Sequence, residues 1–219
     1  MTNTLLIEKT IAFVKETLTN AEGGHDWFHI ERVYNNVLLI AKDEAVDTTI
    51  VSLGALLHDI ADSKFHDGDE TVGPKIAETF LKNEGVDETV IEHVKNIIKH
   101  ISFKNSLAKY KTSFNSKELQ VVQDADRLDA IGAIGIARAF NYGGFKNRLL
   151  YHPDIAPNTN LTKEAYKKAA SPTINHFYEK LLLLKEGMNT ATGKKIAQQR
   201  HTFMEEYLTQ FFNEWHGKQ

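Results

Sequence analysis

Cysteine is absent from this sequence. Its absence excludes disulfides, thiolate metal ligands and a cysteine nucleophile, and it suits a reducing compartment. An excess of charge is missing too. The formal net charge is −3, which gives no global basic field of the kind nucleic-acid binding uses. No apolar run approaches the ~20 residues of a membrane span. Met1 to Lys9 has neither the basic start nor the apolar centre of a secretory signal. The expectation is a cytoplasmic protein with no membrane partner and no stable nucleic-acid partner. Phosphate loops of the GxGxxG and GxxxxGK[ST] kinds, internal repeats and low-complexity segments are also lacking.

What is present is helical spacing. At 219 residues, with 42% hydrophobic and 25% charged residues, the chain reads as one ordinary globular domain, 1–219, with room for a sizeable core. Leu5 to Leu18 carries an amphipathic pattern. Asp26 is a plausible N-cap for a second helix. There His29, Val33, Val37 and Ile40 repeat on one stripe, so His29 faces the core. Thr48 to Ala61 is apolar on most sides and predicts a central helix. Thr71 to Glu84 predicts a fourth helix, with Pro74 in its first turn and Gly85 as its stop. Asp87 caps a fifth, ending near Lys99-His100. Ser102 to Ser116 reads as loop. A long helical tract then opens at Ser116 and runs to a break at Gly143-Gly144. Tyr151 to Asn160, with Pro153 and Pro157, predicts an ordered loop. Thr162 to Glu186 and Ala191 to Trp215 predict a C-terminal helical pair. Phe203, Tyr207, Phe211 and Trp215 stripe the last helix for core or helix–helix packing, with a homodimer surface as the alternative.

The chemistry starts at Leu53-Gly54-Ala55-Leu56-Leu57-His58-Asp59-Ile60-Ala61-Asp62. An apolar run ends in a His and an Asp. The bland reading is an exposed helix end, with His58 as cap and Asp59 opening a turn. Two further ligand-type residues sit at apolar positions: His29, and Asp126, which falls beside Val122, Ala130 and Ala133 on helical spacing. Asp124 is the better candidate for a solvated face. His25-Asp26, a second His-Asp pair, starts a helix beside Gly23-Gly24 and suits capping or a rim position. Burying polar groups without partners costs roughly 2–7 kcal/mol each. Helix bundles solve this by projecting such side chains onto one shared cation. Two imidazoles and two carboxylates form a mixed N/O shell for a borderline divalent ion.

The order His29, His58-Asp59, Asp126 resembles the HD superfamily of metal-dependent phosphohydrolases. The surrounding stretches also resemble a bacterial cytoplasmic subgroup. They are His25-Asp26-Trp27-Phe28-His29-Ile30-Glu31-Arg32-Val33, Ala55-Leu56-Leu57-His58-Asp59-Ile60, and Gln123-Asp124-Ala125-Asp126-Arg127-Leu128-Asp129-Ala130. The resemblance implies an all-α HD-domain helical bundle with a central metal site. It selects His29 over His25, and Asp126 over Asp124 and Asp129. The implied ligands are His29, His58, Asp59 and Asp126. They would hold one divalent ion: manganese first, with cobalt, nickel, iron, magnesium and zinc as alternatives. A Gly-Tyr-Pro motif that accompanies a second metal in one branch of the family is absent.

The resemblance also implies that a metal-activated water attacks a phosphorus atom. Asp59 is expected to ligate the ion and hydrogen-bond the water. Asp62 matches the position of a general acid or base, often Glu in HD nucleotidases. Lys64, His100 and Lys104 are expected to contact a phosphorylated substrate. The subgroup includes nucleoside triphosphate pyrophosphohydrolases, which release pyrophosphate and a monophosphate. The alternatives are a nucleotidase or phosphodiesterase with the same site, and a nucleotide-binding regulator without turnover.

Overall fold

In a computed structural model, residues 3–19, 26–61, 69, 71–101, 114–158 and 171–218 are described. Among them are nine α-helices, one 3-10 helix and no strand, the all-α class expected. The helices are α1 Asn3–Thr17, α2 Trp27–Ala41, α3 Thr48–Leu57, α4 Val72–Asn83, α5 Glu88–His100, α6 Lys117–Asp129, α7 Gly132–Phe145, α8 Thr173–Glu179 and α9 Ala191–Trp215. The 3-10 helix is Leu181–Gly187. Contacts divide the chain into two compact units, Met1–Asp126 and Arg127–Gln219.

In the first unit α3 is the hub. It packs against α1, α2 and α5, and Val51 to Leu57 are all buried. Leu53, Leu56 and Leu57 are fully enclosed; each such side chain stabilises the fold by ~1.5–3 kcal/mol. Gly54 lets the neighbouring helices approach closely. A Cβ there would stand 3.2 Å from Ile97 of α5 and 3.3 Å from Val122 of α6. Local chemistry sets the helix ends. Asp26, Asp47 and Asp87 each accept a backbone N–H as N-caps of α2, α3 and α5. Gly85, at φ +70, stops α4 in a conformation L residues avoid.

The second unit is richer in aromatic packing. Tyr207 stacks on Phe177, 6.1 Å between centroids, and Tyr151 meets Trp215 edge-on at 5.1 Å. The stripe on α9 therefore packs within the unit through Tyr207, Phe211 and Trp215. Phe203 remains largely exposed.

Four expectations change. The tract from Ser116 is two helices. It breaks at Ala130-Ile131, where Ile131 is extended and Gly132 takes φ +74. Gly143-Gly144 lies inside α7, where a Cβ on Gly143 would crowd the Thr173 hydroxyl. The stretch expected as one helix over 162–186 is, from 171 on, the short α8 and the 3-10 helix. They are separated by Lys180 at φ −145, ψ −57; residues 162–170 lie outside the described ones. The central helix ends at Leu57, four residues before Ala61, and His58 is its C-cap.

Candidate metal centre

Three elements of the first unit bring side chains to one point. His29 stands in the first turn of α2, where its backbone N–H donates to the Asp26 carboxylate at 3.0 Å. The cap that starts the helix thus also fixes the histidine's place. His58 follows the last residue of α3. Asp126 comes from α6. One ligand-type atom from each lies within 4.8 Å of the other two.

The geometry suits an ion better than direct bonding. His29 Nε2 is 3.6 Å and His58 Nε2 is 4.0 Å from Asp126 Oδ1, both beyond hydrogen-bond length. Donors around an ion at ~2.1 Å stand ~3.0–3.4 Å apart, so the two imidazole–carboxylate gaps need contract by no more than ~1 Å. The imidazoles meet at 5.3 Å between centroids with planes 70° apart. His58 Nδ1 lies 2.8 Å from the Ala55 carbonyl. A carbonyl only accepts, so Nδ1 carries a proton, and in the neutral ring the lone pair is then on Nε2. Tying the far ring nitrogen to a carbonyl is how ligating histidines are oriented. Both imidazoles are nearly enclosed, whereas the Asp126 side chain is 40% exposed. Water and solutes therefore reach the cluster on the carboxylate's side.

The bland reading of His58 is half right. It is a cap by position, but its side chain is buried and turned toward His29. The burial order of the acids reverses the expectation. Asp124 is fully buried and Asp129 nearly so, while Asp126 is partly open. Counting forward to Ala130 and Ala133 crossed the helix break, so those residues do not continue the α6 stripe; Ala133 is exposed. Asp59, the fourth expected ligand, sits half-buried in the turn after His58 and is outside the three-residue cluster. His100 ends α5, half-buried, with Nδ1 donating to the Asn96 carbonyl at 2.8 Å. Its own carbonyl accepts from Gln123 Nε2 at 3.0 Å. It too is outside the cluster. His25, Asp62, Lys64 and Lys104 lie outside the described residues.

Sequence reasoning passed over Asn36. It is buried on α2, and its side-chain amide donates to the Ala125 carbonyl at 3.1 Å. The available signal was a polar residue seven positions after His29, inside an apolar stripe.

Residues 27–131 match the HD domain family, and that span contains all three clustered side chains. The chain belongs to the HD superfamily, and it is a metal-dependent hydrolase. Among its relatives is YpgQ of Bacillus subtilis, 39% identical over 207 residues, which cover 93% of this chain and 90% of YpgQ. A crystal structure of an HD-superfamily hydrolase from Bacillus thuringiensis superposes with TM-score 0.80 at 41% identity. It covers 99% of this chain and 100% of that one. The structure of YpgQ in complex with ADP superposes with TM-score 0.74 at 35% identity, covering 98% and 97%. No helix among the described residues is long and apolar enough to cross a membrane.

Proposed function

We propose that this hydrolase is a cytoplasmic nucleoside triphosphate pyrophosphohydrolase, acting on ribo- or deoxyribonucleotides and releasing pyrophosphate and a monophosphate. The observation that carries the reading is the convergence of His29, His58 and Asp126, with His58 Nδ1 tied to the Ala55 carbonyl. A relative of known structure, YpgQ, binds a nucleoside diphosphate, which supports a nucleotide as the substrate class.

His29 Nε2, His58 Nε2 and a carboxylate oxygen of Asp126 would hold one ion, with Asp59 as a fourth ligand from the turn after His58. Manganese suits this mixed imidazole and carboxylate shell. When bound, such an ion lowers the pKa of a water and offsets charge on a phosphoryl oxygen. The protein's own residues do the rest. The Ala55 carbonyl holds the His58 ring in its tautomer. Asp59 accepts a hydrogen bond from the attacking water and orients it. Asp62, three residues on in sequence, exchanges the proton. Lys64, His100 and Lys104 bind the phosphate chain.

The test is phosphorus NMR of products after incubation with nucleotides and manganese. Pyrophosphate with a monophosphate is expected from triphosphates. Orthophosphate from a monophosphate would replace this reading with a nucleotidase. A manganese-loaded protein that hydrolyses nothing across a nucleotide panel would replace it with a binding regulator.

A further inference from the structure

Resting on the metal-centre reading above, we infer that Asn36 is a positioning residue that sets the width of the ion site. Asn36 follows His29 by seven residues, and seven helical steps return to the same face of α2. One face of α2 therefore supplies both the His29 imidazole and a buried amide two turns further on. That amide donates to the carbonyl of Ala125, at 3.1 Å, and Ala125 immediately precedes Asp126. The bond joins the two helices whose side chains must close on one ion. It grips the backbone at the peptide from which Asp126 projects.

A helical carbonyl has a second lone pair, so the Ala125 oxygen accepts this bond without giving up its place in α6. A residue held to the backbone beside Asp126 restrains both sliding and separation of α6 against α2. The measured gap it governs is 3.6 Å between His29 Nε2 and Asp126 Oδ1. Tight ion binding needs that gap held to a few tenths of an ångström, and loss of an outer partner typically costs ~10–100-fold in metal affinity. Asn36 acts through Asp126 and is a ligand of neither ion nor substrate.

The experiment is manganese titration by calorimetry on metal-free, full-length protein, with melting of the metal-free form measured beside it. Asn36→Leu keeps the volume and removes the amide. It is expected to bind manganese ~10–100-fold more weakly than wild type. Val14→Ala, in the fully buried core of α1, is the control: it lowers the melting temperature and leaves the affinity at the wild-type value. Asn36→Ser, too short to reach Ala125, gives the same loss as Asn36→Leu and decides the matter should the leucine variant fail to fold. Wild-type affinity in the Asn36 variants, or a loss no greater than the control's, overturns the inference. Failure of wild type to bind manganese instead overturns the metal-centre reading on which it rests.

Discussion

The clustered side chains of the first unit and three arginines of the second dispose of their polar groups differently. In the unit ending at Asp126, two nearly enclosed imidazoles and a carboxylate face one another at 3.6 and 4.0 Å, too far to satisfy each other. In the unit beginning at Arg127, three arginines bond internally. Arg127 donates to the Gly187 carbonyl at 2.6 Å. Arg200 donates to the Leu128 carbonyl, and Arg138 to the carbonyl and carboxylate of Asp129. Satisfied groups hold a chain in place. Groups that converge at distances beyond hydrogen bonding to one another leave room for a third party.

His58→Ala or Asp126→Ala removes a group from the convergent cluster. Manganese affinity and hydrolysis fall by more than the ~100-fold typical of losing an outer partner, while the metal-free protein melts near wild type. Arg200→Met keeps the stem that packs on Gly132 and removes the charged donor. It is expected to cost ~1.5–3 kcal/mol of stability and to leave manganese affinity unchanged. Calorimetry and thermal melts on the same preparations read both. Equal losses of affinity from the two replacements would erase the distinction.

Acid sharpens the contrast next. Burial, followed by the charges of Lys180 and Arg148, pushes His176 of the second unit from 6.5 down to about 4. The unfolded imidazole therefore takes its proton first as pH falls. Between about 6.5 and 4 the unfolded state holds more protons, so stability drops with falling pH. The loss is of order 3 kcal/mol once both values are passed. Melts with chelator present, at pH 7.5 and 4.5, measure the slope. His176→Gln should flatten it, and an unchanged slope would assign the acid sensitivity elsewhere.

Legibility in the sequence followed the same division. Where a helix boundary depends on its own residues, it could be read directly. Asp26 and Asp87 cap, Gly85 stops, and α9 runs from Ala191 to Trp215 as its spacing implied. Where a boundary depends on distant packing, it was hidden. Lys180 interrupts an apolar stretch with no glycine or proline to mark it, and the kink at Gly132 lies against Arg200, remote in sequence. The site behaved likewise. His29 was legible from its stripe and His58 from the end of its apolar run. Asp126 was placed on a buried stripe that the helix break cuts short. Asn36 was invisible because its meaning is a bond to a backbone oxygen on another helix.

The smallest effect comes from a second cluster with metal-like spacing. Glu78, Glu88 and Glu92 also offer carboxylate atoms within 4.8 Å of one another, yet two lysines already occupy the space between them. Lys82 and Lys95 reach Glu78 at 2.7 and 2.9 Å, and Lys95 reaches Glu92 at 2.6 Å. Hydrogen bonds from Lys82 first, then Lys95, pull Glu78 down to about 2. A carboxylate lowered in this way stabilises the fold above its unfolded pKa, and the contribution is lost only as pH falls toward 2. Being at the surface, it is weak and screened by salt. Glu78→Gln should lower the melting point slightly at low salt and not at all at 0.5 M or so. Manganese stoichiometry should stay at about one per chain, as expected of a single ion-binding cluster. A second ion lost with Glu78 would mean that clustered charge alone, already paired with lysines, is enough to make a site in this protein.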